Sequence, residues 1–292
     1  MDVKSKNSAF NIGSLAINQG ELWALGGAFA YALDNVFAAG AVRGSGINTI
    51  LGAGLRSFPV LVFALLMSLA VNRRSPRALS PFSDWKLVGA LVGNGILTFL
   101  IGNSFLFAAF HAGGVQIATP VVSTQVLWSA LLAALFLREP VNRKMFLGIG
   151  ISILGIFTLT IGKGLGSNLQ PGWWLSVPYA LTAAVSWSVS SVLITYVMRR
   201  GVDRFQALAV ALVVGLVFLN GYLLFAGLIN LYTVTPLPLI GKVILAGMFN
   251  MVALVCATTA LSLTTVASAG VLNSLQVGIA PLIAWAVLGE LM

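Results

Sequence analysis

Charge is what this sequence has least of. Lysine, arginine, aspartate and glutamate together make up 8% of its 292 residues, against about 25% in a soluble domain. That is too little polar surface to clothe a water-facing globule. Acidic side chains number only seven, and cysteine and histidine occur once each. A single cysteine, Cys256, excludes an intrachain disulfide and any multi-cysteine metal site. It reads as a small packing residue inside an apolar run. His111 has no second histidine with which to share a metal, and no clustered acidic pair falls within an apolar run. The chain therefore offers no metal centre, cofactor site or catalytic dyad, and an enzyme is not expected. A nucleotide loop is also missing, since Gly162-Lys-Gly-Leu-Gly166 lacks the flanking strand and helix that such a loop needs. Residues 1–21 are too polar and broken for the core of a cleavable signal peptide and read as a cytoplasmic tail.

What the chain has in abundance is apolar sequence. It is 59% hydrophobic, with a mean hydropathy of +0.99. Runs of about 20 apolar residues read as membrane-spanning helices, and nine are predicted, near 22–42, 48–71, 87–110, 114–137, 145–162, 173–198, 206–230, 240–263 and 267–288. The net charge of +9 is explained by its placement, so no nucleic-acid partner is inferred. With the N-terminus inside, twelve of the sixteen Lys and Arg residues, from Lys4 to Arg204, fall on the cytoplasmic side. Arg43, Lys163 and Lys242 fall on the other, and Arg56 lies within a span. That is the distribution of the positive-inside rule.

The chain also contains itself. Shifted by 151 positions, Gly113–Pro140 lies over Thr264–Leu291, so that Ser123 meets Ser274, Gln125 meets Gln276 and Glu139 meets Glu290. An offset of 156 lays Tyr31-Ala-Leu-Asp-Asn-Val over Trp187-Ser-Val-Ser-Ser-Val, which requires a few residues lost in between. A repeat at this period means two copies of one unit, 22–163 and 172–292. Five spans per unit put the second copy upside down, the inverted arrangement of secondary transporters, with the substrate near midplane between the halves. The counterpart of span five would begin just after Met292, so a tenth helix is expected there.

These features resemble the EamA-type members of the drug/metabolite transporter superfamily. The resemblance rests on the aromatic-plus-small openings Tyr31 to Asn35 and Trp187 to Ser191, and on Leu137-Arg-Glu-Pro140 with its echo Leu288-Gly-Glu290. Within the superfamily the chain is most similar to YddG-type exporters of aromatic and other hydrophobic amino acids. The resemblance implies an all-α polytopic membrane protein, a 5+5 inverted-repeat bundle of ten helices with both termini cytoplasmic. It also implies a central cavity lined by helices 1, 3, 4, 6, 8 and 9.

Asp34 and Arg56 are the clear intramembrane charges. Each lies eight residues from the outer end of its span, which at about 1.5 Å per residue puts both roughly 12 Å deep. Charges at that depth pair with one another or face water, so an ion pair is expected, acting as a clasp between helices or else in direct substrate contact or gating. A carboxylate held beside a guanidinium is a poor proton carrier. Trp23, Trp85, Trp173, Trp174 and Trp285 fall near span ends, as interfacial anchors do. Tyr31, Trp128 and Trp187 fall near midplane, where they either form an aromatic box for flat apolar substrates or pack between helices. The polar midspan residues Asn94, Asn103, Ser123, Gln125, Ser190, Asn250, Asn273, Ser274 and Gln276 either bind a zwitterion or join helices by hydrogen bonds. Pro120 and Pro281 are expected to break their helix ladders, and Gly89/Gly93 and Gly148/Ser152 to mark close helix contacts.

The function expected is secondary export of aromatic or hydrophobic amino acids and related small metabolites by alternating access across a bacterial inner membrane. The partners are the small-molecule substrate and the lipid bilayer, and the ten-helix unit is expected to work as a monomer. The alternative is a proton-coupled exporter of drugs and organic cations, which needs Asp34 free of Arg56.

Overall fold

The computed structural model describes residues 10–12, 15–42, 47–74, 79–139 and 172–288, with Leu147, Gly150, Ile151, Leu154 and Thr158 between the last two stretches. The segment expected to form span five therefore lies largely outside the described residues. Inside the tail sits a short hairpin that its polar composition does not announce, Phe10–Ile12 against Leu15–Ile17.

The rest of the regular structure described is helical: α1 (Gln19–Val42), α2 (Thr49–Arg74), α3 (Trp85–Gly95), a π-helical stretch (Ile96–Gly102), α4 (Asn103–Ser123), α5 (Gln125–Leu137), α6 (Ser176–Arg199), α7 (Arg204–Phe225), α8 (Leu237–Leu263), α9 (Val266–Asn273) and α10 (Gln276–Leu288), with single helical turns at Trp173–Leu175 and Leu231–Val234. Among the described residues, seven helical stretches are long and apolar enough to cross a membrane. The chain is an all-helical polytopic membrane protein built of two repeated halves. Apolar helices of this kind bury one side against each other and leave the other to lipid. The outward side carries large apolar residues such as Leu66, Phe136 and Phe225, the last 93% exposed. Trp85 and Trp174, at the helix ends, are also exposed.

Polar caps end the spans. Asp84 accepts a hydrogen bond from the Lys86 backbone N–H at the start of α3, and Asp203 accepts from that of Phe205 at the start of α7, each satisfying a donor the first helical turn leaves free. Span four begins after Gly114, whose φ of 70° is a left-handed value that glycine adopts without cost. In the second half, Thr264 and Thr265 make the same break with extended backbone.

Both halves then break a second time. α4 stops at Ser123 and α5 starts at Gln125; α9 stops at Asn273 and α10 starts at Gln276. The prolines do not make these breaks: Pro120 sits inside α4 and Pro281 inside α10. Hydroxyls sit at the breaks instead. Thr124 Oγ1 donates to the Val121 carbonyl and Ser274 Oγ to that of Val271, both at 2.7 Å, and such back-bonding competes with the helical ladder.

Packing exchanges the halves. α1 lies along α8, and α6 lies along α3, the π-helical stretch and α4. Glycine sets the closest approach. A Cβ on Gly95 would come within 2.3 Å of the Ala211 carbonyl oxygen, and one on Gly247 within 2.4 Å of that of Arg56. Gly89, by contrast, faces open space, whereas a Cβ on Gly93 would come within 3.2 Å of Leu193 Cδ1; Gly148 and Ser152 lie outside the described residues.

Candidate functional site

A cavity opens where the two halves meet. α1 contributes Tyr31 and Asn35 to its wall, and α6 contributes Trp187, Ser190 and Ser191. The π-helical stretch and α3 add Thr98 and Asn94. Asn103, Thr119 and Ser123 come from α4, Gln125 and Ser129 from α5, and Asn250 from α8. Asn273 and Gln276 enter from the two sides of the break between α9 and α10. Ser123 and Gln125 do the same at the first break, so both discontinuous spans present their broken ends to one space.

One corner is charged. Arg56 Nε donates to Asp34 Oδ1 at 2.9 Å, and its Nη2 donates to Asp34 Oδ2. The same guanidinium donates through Nη1 to Asn103 Oδ1 and through Nη2 to Asn250 Oδ1, each at 3.4 Å. Asn103 Nδ2 passes the chain on to Ser57 Oγ at 3.2 Å. Both charges are desolvated, with side-chain exposures of 0% for Asp34 and 2% for Arg56. Arg56 lines the cavity while Asp34 sits behind it. The carboxylate is thereby screened from the cavity by its own counter-ion.

The opposite corner is neutral. Asn94 Nδ2 donates to Ser190 Oγ at 2.7 Å and to the Ser190 carbonyl at 2.8 Å; Ser190 Oγ in turn donates to the Asn94 carbonyl and shares a hydrogen bond with Thr98 Oγ1. Trp187 Nε1 donates to the Thr98 carbonyl at 3.2 Å. Gly102 makes room for that ring, because a Cβ there would lie 2.3 Å from Trp187 Nε1. The π-helical turn thus gives the indole both its acceptor and its space, in keeping with the tendency of such turns to occur at functional sites. Between the corners, Asn35 Nδ2 donates to Gln276 Oε1 at 3.0 Å, tying α1 to the second break.

Trp128 is not brought to the cavity. Gln125 and Ser129, one turn apart, take the cavity-facing side of α5, and the indole turns aside, half-buried, its Nε1 without a partner among the described residues. Ser274 lies within the break itself and does not line the cavity. Conversely, Asn35, Thr98, Thr119 and Ser129 line it although their local sequence does not single them out. Asn35 stands at the 156-residue offset from Ser191, which lines the cavity as well. That offset, applied residue by residue, was the available signal.

No His, Cys, Asp or Glu cluster suited to a metal occurs among the described residues. Asp34 is spent on Arg56, and Cys256 is buried.

A solved structure, described only as the crystal structure of a protein, shares this architecture. It has a TM-score of 0.68 and 16% identity, and covers 92% of this chain and 88% of its own; at that identity the likeness concerns fold alone. No curated protein matches the chain. The sequence model of the EamA-like transporter family matches twice, over residues 18–161 and again over 174–292. Two successive matches, divided where the two helical halves divide, account for the duplicated bundle and its paired breaks. The chain belongs to the EamA-like transporter family of the drug/metabolite transporter superfamily, whose members are transporters and not enzymes.

Proposed function

We propose that the protein exports aromatic and other hydrophobic amino acids, with related small metabolites, by alternating access, as a YddG-type exporter of a bacterial inner membrane with its N-terminus in the cytoplasm. The observation that carries this reading is the composition of the cavity wall. Tyr31 and Trp187, one from each half, offer flat apolar faces, and amides and hydroxyls surround them. Aromatic faces grip a planar side chain by stacking and area burial, while neutral amides bind the ends of a zwitterion without demanding a net charge.

The breaks support the same reading. Discontinuous helices at midplane are where secondary transporters place their substrate, because broken ends free backbone groups that are otherwise locked in the ladder. Rocking of one half against the other about Thr124 and Ser274 would expose the cavity to each side in turn. A proton-coupled cation exporter is disfavoured, because Asp34 is bound twice by Arg56 and lies behind it.

Counterflow of radiolabelled phenylalanine into proteoliposomes tests the proposal. Wild-type protein is expected to accumulate label, and Trp187→Ala to lose at least tenfold in rate while remaining folded. Accumulation of organic cations in place of every amino acid, accelerated by a pH gradient, would sink it.

A further inference from the structure

We propose that the Arg56–Asn250 corner of the cavity is where the substrate's carboxylate docks, which fixes the orientation of the substrate during transport. The inference rests on the amino-acid reading of the cavity and adds to it a specific pair of donors.

Arginine carries five N–H donors and no acceptor. Four are in use: two on Asp34, one on Asn103 and one on Asn250. One N–H of Nη1 is left over. Because the guanidinium can only donate, both amides that touch it must turn their oxygens toward it. The orientation of each amide is thereby dictated by chemistry. Asn103 spends its Nδ2 on Ser57. Asn250 Nδ2 has no partner, although the residue is only 2% exposed and lines the cavity. A buried donor without an acceptor is costly, and bound substrate can relieve that cost.

The corner therefore holds a buried donor with no partner, while each of its carboxylate and amide oxygens already accepts a hydrogen bond. A carboxylate, which offers two oxygens and only accepts, is the complementary group. Asp34 already neutralises Arg56, so the corner has no net charge to attract a simple anion from water. A ligand that carries its own positive charge suits it better. Two oxygens elsewhere on the wall, Thr119 Oγ1 and Asn273 Oδ1, also lack partners and would accept from an ammonium.

The repeat shows that this corner is unlike its counterpart. Where Asn250 stands in the second half, the offset that joins Gly95 to Gly247 places Thr98 in the first. Thr98 and Asn94 are both bonded to Ser190. Only one of the two equivalent corners keeps donors in reserve, so a zwitterion binds in one sense.

The test uses the detergent-purified full chain and three ligands that share a phenyl ring: phenylalanine, 3-phenylpropionate, which lacks the ammonium, and phenylethylamine, which lacks the carboxylate. Binding is followed by calorimetry in wild type, Asn250→Ala and the isosteric Asn250→Asp, which keeps an oxygen for Arg56 but replaces the donor with an acceptor. Phenylalanine is expected to bind best, 3-phenylpropionate more weakly and phenylethylamine least. Asn250→Asp should weaken phenylalanine at least tenfold, and Asn250→Ala by somewhat less, with melting temperatures recorded for each.

Phenylalanine bound with affinity equal to phenylethylamine, or unaffected in folded Asn250 variants, overturns the docking corner and leaves the amino-acid reading standing. Binding of 3-phenylpropionate without phenylalanine, lost in Asn250→Asp, does the reverse. No binding by either carboxylate overturns both. Where one Asn250 variant does not fold, the other supplies the comparison, and the wild-type panel by itself decides whether the carboxylate is required.

Discussion

The two corners of the cavity occupy the same positions in the two halves and are built from different chemistry. Asp34 corresponds to Ser190 and Tyr31 to Trp187 at an offset of 156; Arg56 corresponds to Ala211 at 155; Thr98 and Gly95 correspond to Asn250 and Gly247 at 152; Gln125 corresponds to Gln276 at 151. The structure gives these pairings physical weight. The Gly95 and Gly247 contacts, each against the carbonyl of the corresponding residue of its partner helix, are one contact made twice. Backbone packing has been kept in both copies, because two helices that approach so closely cannot tolerate a Cβ in either. Side chains facing the cavity are free to diverge. One copy holds a desolvated ion pair, the other a set of neutral hydrogen bonds.

The difference in chemistry predicts a difference in cost. Removing one partner of a buried pair leaves an unmatched charge and costs about 3–5 kcal/mol, so Asp34→Leu and Arg56→Leu should each lower thermal stability sharply. The double variant, with no charge left to bury, should recover most of the loss. In the neutral corner Ser190→Ala gives up interhelical hydrogen bonds that in membranes are worth on average about 0.6 kcal/mol each. Melting of the four variants in detergent compares the corners directly. Single Asp34 or Arg56 changes no worse than Ser190→Ala would show that water reaches the charged corner and that the contrast is one of composition only.

Much of this was legible in the sequence because membranes make polarity conspicuous. Asp34 and Arg56 stand out in apolar runs, and equal depth suggested their pairing. Tyr31, Trp187 and the midspan amides stood out for the same reason. Thr98 did not, because Ile96-Leu-Thr-Phe-Leu100 reads as plain helix and the π-helical turn has no mark in composition. The breaks stand at other positions than the expected ones: Pro120 and Pro281 lie inside their helices, while the ladder is interrupted at Thr124 and at Ser274–Leu275. Proline draws attention through its missing N–H, yet Ser and Thr hydroxyls four and seven residues away from the two prolines accompany the turns. Depth alone does not say which side of a helix a residue takes, so it leaves Trp128 between an aromatic box and packing between helices, and the structure has it off the cavity wall.

If the close contacts are one contact made twice, substitution should cost the same on both sides. Gly95→Ala and Gly247→Ala each drive a methyl into a carbonyl oxygen, and overpacking of this kind costs about 1–3 kcal/mol. Two melting temperatures lowered by similar amounts would support equivalence of the halves. A large loss at one glycine and none at the other would mean that one interface yields, and that the repeat is preserved in sequence more than in mechanics.

The smallest effect is expected from the chain's other described ion pair, which lies at a helix end instead of midspan. Glu139 Oε2 accepts from the Val266 backbone N–H at 3.0 Å, and Oε1 accepts from Arg199 Nη2. The carboxylate thus caps α9 while it binds the end of α6. Its exposure is 4%, but that of Arg199 is 45%. An arginine so open to solvent gives up little hydration when it pairs, and exposed pairs are worth about 0.2–1 kcal/mol. Arg199→Ala should therefore cost no more than that, and less again at high salt, since screening weakens an exposed pair. Glu139→Ala should cost more, because it also strips the first turn of α9 of an acceptor, a loss of about 0.5–2 kcal/mol in helix caps. The ordering separates two kinds of clasp. Where both partners are sealed, as at Asp34 and Arg56, either deletion is severe; where one is wet, only loss of the buried partner matters. An Arg199→Ala loss as large as that of Arg56→Leu would mean that water does not reach Glu139 once the guanidinium is gone, and that the helix-end pair belongs with the midspan one.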